Sequence, residues 1–130
     1  MMKKLASGLA LLTLRATSAH AGASYEAAYC EKNTDGSGNC YGTMLAFRNH
    51  WSSSTYASFE DATDSLPAFR ASYQFATSMP VINVYCVPTS TVRPFFSRAA
   101  SHTGYFAISW NAAGECTRLT LSSGSRYATP

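Results

Sequence analysis

The sequence contains no glycine-rich phosphate loop, no internal repeat, no heptad pattern and no apolar run long enough to span a bilayer. Those absences remove phosphate-loop nucleotide chemistry, solenoids, coiled coils and transmembrane helices from consideration. Histidine is scarce, and His50 and His102 both sit in polar connecting segments. They read as loop histidines rather than an acid–base pair, since nothing in the chain places them together. Glu60, Asp61 and Asp64 resemble paired carboxylates, but the positive end of a helix accounts for them equally well. Paired short Cys/His spacings for zinc are also missing. The chain is therefore expected to be non-enzymatic, with no catalytic residue, cofactor or metal.

A net cationic charge is lacking too, once the N-terminus is read correctly. Met1-Met2-Lys3-Lys4 is a basic start, residues 5–14 are a short apolar run, and Ala19-His20-Ala21 is a small-x-small cleavage pattern. This predicts a signal peptide over 1–21 and a single secreted domain over 22–130. The formal charge of +3 comes from Lys3, Lys4 and Arg15. Cleavage leaves a neutral chain, so nucleic acid is not an expected partner. Acids dominate up to Asp64 and arginines after it, a polarity that suits complementary faces between copies.

The cysteines that are present are Cys30, Cys40, Cys86 and Cys116. An even number in an exported chain reads as two disulfides, with three possible pairings. Cys30–Cys40 with Cys86–Cys116 is favoured, because the turn-rich residues 33–39 place the first pair across a hairpin. In the chain-entropy picture the two bridges contribute about 3 and about 4 kcal/mol.

Residues 24–31 and 41–47 read as the strands of that hairpin. Phe59, Ala62, Leu66, Phe69, Tyr73 and Ala76 then recur at helical spacing, which predicts the main helix over 66–77. Ser58 could cap a preceding turn, and Pro67 marks a break or the helix start. Arg70 and Gln74 fall on the polar face. Met79-Pro80 ends the helix, and a β-branched strand follows at 81–87. A helical turn over 95–100, strands at 105–110 and 116–121 with a turn at 111–114, and a tail from Ser122 complete the chain. About five strands and one main helix describe an α+β, mostly β domain or partly open barrel.

Aromatics are abundant: eight Tyr, seven Phe and two Trp. Phe69, Tyr73, Phe75, Phe106 and Ile108 are expected in the core, whereas Trp51, Tyr56, Phe95 and Phe96 lie on segments that are hard to bury. Flat rings beside hydroxyl and amide groups suit sugars or protein partners.

Tyr73-Gln74-Phe75, Ala76-Thr77-Ser78, Pro80-Val81 with Tyr85, Pro94-Phe95, Ile108-Ser109 and the late Cys116 together resemble the C-terminal half of the B subunits of subtilase cytotoxin and pertussis-like toxins. The Cys30…Cys40 spacing is similar to an early cysteine pair of that family. The likeness covers about 40 residues well. It implies a five-stranded oligosaccharide-binding barrel, assembled as a homopentamer that delivers a separate A subunit to host cells by binding a cell-surface glycan. It further implies that Tyr85, with Glu31 and Lys32, contributes to a glycan site, and that Arg70 and Gln74 line a central pore. The segment before Cys30 is shorter than in the family, that from Cys40 to the expected helix is longer, and Trp110 stands where a cysteine is usual. The alternative from the residues alone is a monomeric secreted or periplasmic protein-binding module, such as an enzyme inhibitor, using Trp51 and the Phe95/Phe96 loop.

Overall fold

A computed structural model describes residues 26–127. The expected signal peptide and its cleavage site lie outside the described residues. The first hairpin, β1 (Ala28–Lys32) and β2 (Gly38–Thr43), pairs Cys30 directly with Cys40, and the disulfide joins them there. Asp35 organises its turn: the carboxylate accepts hydrogen bonds from the Ser37 backbone N–H at 2.9 Å and hydroxyl at 2.6 Å. Those bonds, the hydroxyl's foremost, hold the Asp35 carboxyl below its ordinary range.

The strand expected over 41–47 stops at Thr43. There the Thr43 hydroxyl accepts the Ala46 N–H at 3.2 Å and caps a short helix, α1 (Met44–Arg48). This helix drops Phe47 into the core.

The largest departure follows. Residues 66–77 do not form a helix; they belong to an antiparallel pair, β3 (Tyr56–Ala62) and β4 (Ser65–Tyr73). Ser58 therefore caps nothing, and Glu60 and Asp61 project from a strand. Side chains of Phe69-Arg70-Ala71-Ser72-Tyr73 alternate between the two faces: Phe69, Ala71 and Tyr73 pack in the core cluster, while on the other face Arg70 is exposed and Ser72 is buried. Alanine suits a helix intrinsically, but β4 has partners on both sides, and that pairing overrides local preference. Pro67 is accommodated because β5 pairs only with 69–73, leaving the proline where β4 has one neighbour.

β5 (Ile82–Pro88) is the strand expected at 81–87. A 3-10 turn (Arg93–Phe95) and α2 (Phe96–Ala100) lead to β6 (Tyr105–Trp110) and β7 (Glu115–Ser122), close to expectation. The seven strands form one sheet in the order β1-β2-β6-β7-β5-β4-β3. The fold is thus small and mostly β, as expected, but it is an open sheet of seven strands and not a closed five-stranded barrel with a main helix.

Two antiparallel blocks meet at a parallel seam between β5 and β7, only Val87↔Glu115 and Pro88↔Cys116 long. The Cys86–Cys116 disulfide crosses that seam, completing the favoured pairing. Inside, rings from both blocks and both helices interlock. Phe59 lies 4.9 Å from Phe69, 5.4 Å from Phe96 and 5.3 Å from Phe106, and Phe47 lies 5.5 Å from Phe106. Phe96, expected on the surface, is buried, because α2 turns it towards β3. Phe75, expected in the core, is 61 % exposed, because β4 has already ended. The two disulfides are consistent with an exported protein. Among the described residues no helix is long and apolar enough to cross a membrane.

Candidate functional site: an aromatic cavity beside the first strand

The sheet curls until β1 approaches β5, where the Lys32 ammonium donates to the Asn83 carbonyl at 3.3 Å. Between β1 and the loop 74–81 lies an open cavity of about 310 Å³. Tyr29, Cys30, Glu31 and Lys32 form one wall; Tyr73, Phe75, Met79, Pro80 and Ile82 form the other. Its volume is at the small end of ligand pockets, enough for one or two rings.

Its three lining rings, Tyr29, Tyr73 and Phe75, belong to a longer series of ring contacts. Tyr29 stands 5.3 Å from Tyr41, 5.7 Å from Tyr73 and 6.5 Å from Phe75. Tyr73 continues to His50 at 5.3 Å, and His50 to Trp51 at 5.3 Å. Strand alternation sets Tyr29 and Glu31 on the same face of β1, and the Tyr29 hydroxyl donates to the Glu31 carboxylate at 3.2 Å.

Gln74 holds the two flanking loops together. Its side-chain carbonyl accepts from the Ser52 hydroxyl at 3.0 Å, and its amide donates to the Met79 carbonyl at 3.2 Å. One side chain thereby fixes both the loop bearing Trp51 and the loop bearing Phe75 and Met79. The His50 ring is oriented locally, with Nδ1 accepting the Ser52 N–H at 3.2 Å.

Glu31 and Lys32, two of the expected glycan contacts, line this cavity. Tyr85 does not. It lies on β5 opposite Arg70 of β4, with the Arg70 guanidinium 4.5 Å above its ring. Arg70 is also paired with Glu60 at 3.1 Å, a half-exposed contact worth at most about 1 kcal/mol. Arg70 and Gln74 share no helix face: the first is on the exterior of a strand, the second just past its end. The Phe95/Phe96 loop is divided, Phe95 being 40 % exposed beside Arg98 while Phe96 is internal. His102 is not among the residues lining the cavity; its Nε2 lies 2.9 Å and 3.1 Å from the Tyr105 and Ser122 carbonyls.

Sequence reasoning missed Tyr29, Tyr73, Phe75 and Met79 as a group. One available signal was the stretch 71–92, which is rich in aromatic and aliphatic residues and contains no charged side chain.

Burial raises the pKa of Tyr29 and Tyr73 above the ordinary tyrosine value, disfavouring their ionisation. For Tyr29 the nearby Glu31 carboxylate adds to it, and for Tyr73 the neighbouring tyrosines do. The unfolded chain ionises these phenols first, so their neutral forms contribute stability below about pH 10 that is lost at higher pH. Ultraviolet titration of Tyr29→Phe and of Tyr73→Phe against wild type is expected to show that each variant loses a late-ionising phenol, with Glu31→Gln moving Tyr29 back towards its ordinary value. No change in the late part of the curve in either variant would contradict the packing described.

No protein-family model matches the chain, and comparison with curated proteins and with solved structures gives no match.

Proposed function

We propose that the protein is an exported, non-enzymatic glycan-binding domain that holds a sugar ring in the cavity of Tyr29, Tyr73 and Phe75. The observation that carries this reading is the combination of aromatic walls with Glu31 and Lys32 at the same cavity. Ring faces suit the apolar face of a pyranose, while a carboxylate and an ammonium can accept from and donate to its hydroxyls. The resemblance suggests the setting: the B subunit of a bacterial toxin, pentameric, bringing a separate A subunit to a host-cell glycan. A helix-lined pore is not included, since residues 65–73 are a strand.

A glycan array probed with the mature protein tests the proposal. Binding is expected, and Tyr29→Ala or Glu31→Ala is expected to weaken it by about tenfold, the scale of a hydrogen bond to a charged group. Tyr85→Ala separates the two candidate locations. Unchanged binding supports the cavity, whereas a loss confined to that variant transfers the site to the Arg70–Tyr85 face. No glycan bound above background, together with a monomeric mass in solution, overturns the proposal.

A further inference from the structure

We propose that the cavity between β1 and loop 74–81 binds a zwitterionic group, a quaternary ammonium joined to a phosphate as in phosphocholine. This goes beyond sugar binding and does not depend on it; the two ligands would compete for one cavity.

The ammonium end is matched by rings. Tyr29, Tyr73 and Phe75 line the cavity, with Tyr29 inclined at 65° to Tyr73 and 90° to Phe75, at centroid distances of 5.7 Å and 6.5 Å. Rings set steeply to one another form a corner, where one cation can lie within about 6 Å of more than one centroid, the range of cation–π attraction. Phe75 is largely exposed, so its ring is available to a ligand. Glu31 stands beside this corner. One of its carboxylate oxygens accepts from the Tyr29 hydroxyl at 3.2 Å, which leaves the other for an incoming cation. A trimethylammonium has no N–H to satisfy, whereas a primary ammonium would leave donors unpaired against the apolar side chains of Met79, Pro80 and Ile82.

The phosphate end is matched by Lys32. Its ammonium gives one N–H to the Asn83 carbonyl at 3.3 Å, and its remaining donors are free for an anion. Among the described residues neither Glu31 nor Lys32 takes part in an ion pair, with each other or with any other side chain. A simple cation in this cavity would meet Lys32, and a simple anion would meet Glu31. A ligand that carries both charges sets each against its opposite, so one unpaired charge of each sign selects a zwitterion over either ion.

Isothermal titration calorimetry of the full mature chain with phosphocholine, choline, phosphoethanolamine and inorganic phosphate provides the test. Phosphocholine is expected to bind, choline more weakly, and inorganic phosphate not measurably. Phosphoethanolamine has the same charges on a primary ammonium and is expected to bind about tenfold more weakly. Glu31→Gln is expected to weaken phosphocholine and choline alike by about tenfold, and Lys32→Met to weaken phosphocholine alone. Phe75→Leu keeps an apolar side chain without the ring and is expected to weaken both by about fivefold. Circular dichroism establishes that each variant is folded. Phosphatidylcholine vesicles and phosphocholine coupled to a soluble carrier distinguish the sources: capture by vesicles assigns a lipid headgroup, and capture by the carrier alone assigns a soluble or saccharide-borne ester, and either supports the proposal. Absence of phosphocholine binding overturns it. So does equal affinity for phosphoethanolamine, an equal loss of choline binding in Lys32→Met, or unchanged affinity in both Glu31→Gln and Phe75→Leu. A glycan-array failure with phosphocholine binding intact would overturn only the sugar reading, and the reverse result would overturn only this one.

Discussion

Phe106→Ala is expected to cost about 3–5 kcal/mol, the usual penalty for emptying a large aromatic site in a packed interior. Phe106 is completely buried on β6, within 5.5 Å of Phe47, 5.3 Å of Phe59 and 5.9 Å of Phe69 by ring centroid. It comes from the four-stranded block, whereas Phe59 and Phe69 come from the three-stranded one. Its removal therefore leaves a void where the two blocks meet, lined by rings that are anchored on different elements (α1, β3 and β4) and cannot all collapse inward. A domain of this size has about 5–15 kcal/mol in total, so the variant is expected to be unfolded or nearly so at body temperature. Equilibrium urea denaturation measures the loss. Phe75→Ala supplies the contrast, because an exposed ring is expected to change stability by no more than about 0.5 kcal/mol. A Phe106→Ala loss below about 1 kcal/mol would show that this cluster is not the centre of the core.

The second large effect concerns the seam. Cys86→Ala/Cys116→Ala is expected to destabilise by about 4 kcal/mol, chiefly because the unfolded chain regains the freedom of a 30-residue loop. Position makes the bridge more consequential. The β5–β7 ladder has only two register pairs, whereas β3–β4 and β6–β7 are long antiparallel ladders. Without the bridge, the blocks are held together by that short ladder and by the phenylalanine cluster. Cys30→Ala/Cys40→Ala is expected to cost less, about 3 kcal/mol, because its loop is shorter and β2 remains paired on both sides. Thermal unfolding of the two double variants decides the order. Equal midpoints, or a lower one for the hairpin pair, would refute the special role assigned to the seam.

These energetic features also support the candidate site. Cys30 lines the cavity between Tyr29 and Glu31, so the hairpin bridge anchors the wall that carries them. Gln74 performs the corresponding task on the other wall with two hydrogen bonds. A rigid aromatic surface loses little entropy on binding.

Local chemistry was legible where it was sufficient. The turn composition of 33–39 identified the first hairpin and hence a disulfide pairing that the structure contains. The β-branched run after Pro80 identified β5, and the strands expected at 105–110 and 116–121 match β6 and β7. Residues 56–73 were another matter. Ala62, Leu66, Phe69 and Tyr73 satisfy helical spacing, while Phe69, Ala71 and Tyr73 equally satisfy strand spacing. What decides between those periods is hydrogen bonding to β3 and β5, which no local window contains. The same pairing ends β4 at Tyr73, which leaves Phe75 outside, while the approach of α2 to β3 takes Phe96 inside. The sequence by itself determined the turns, the cysteine pairing and the aromatic inventory, because each depends on near neighbours or composition. Tertiary structure alone brought Tyr29, Tyr73, Phe75 and Trp51 to one surface, because that requires distant strands to pair and a sheet to curl.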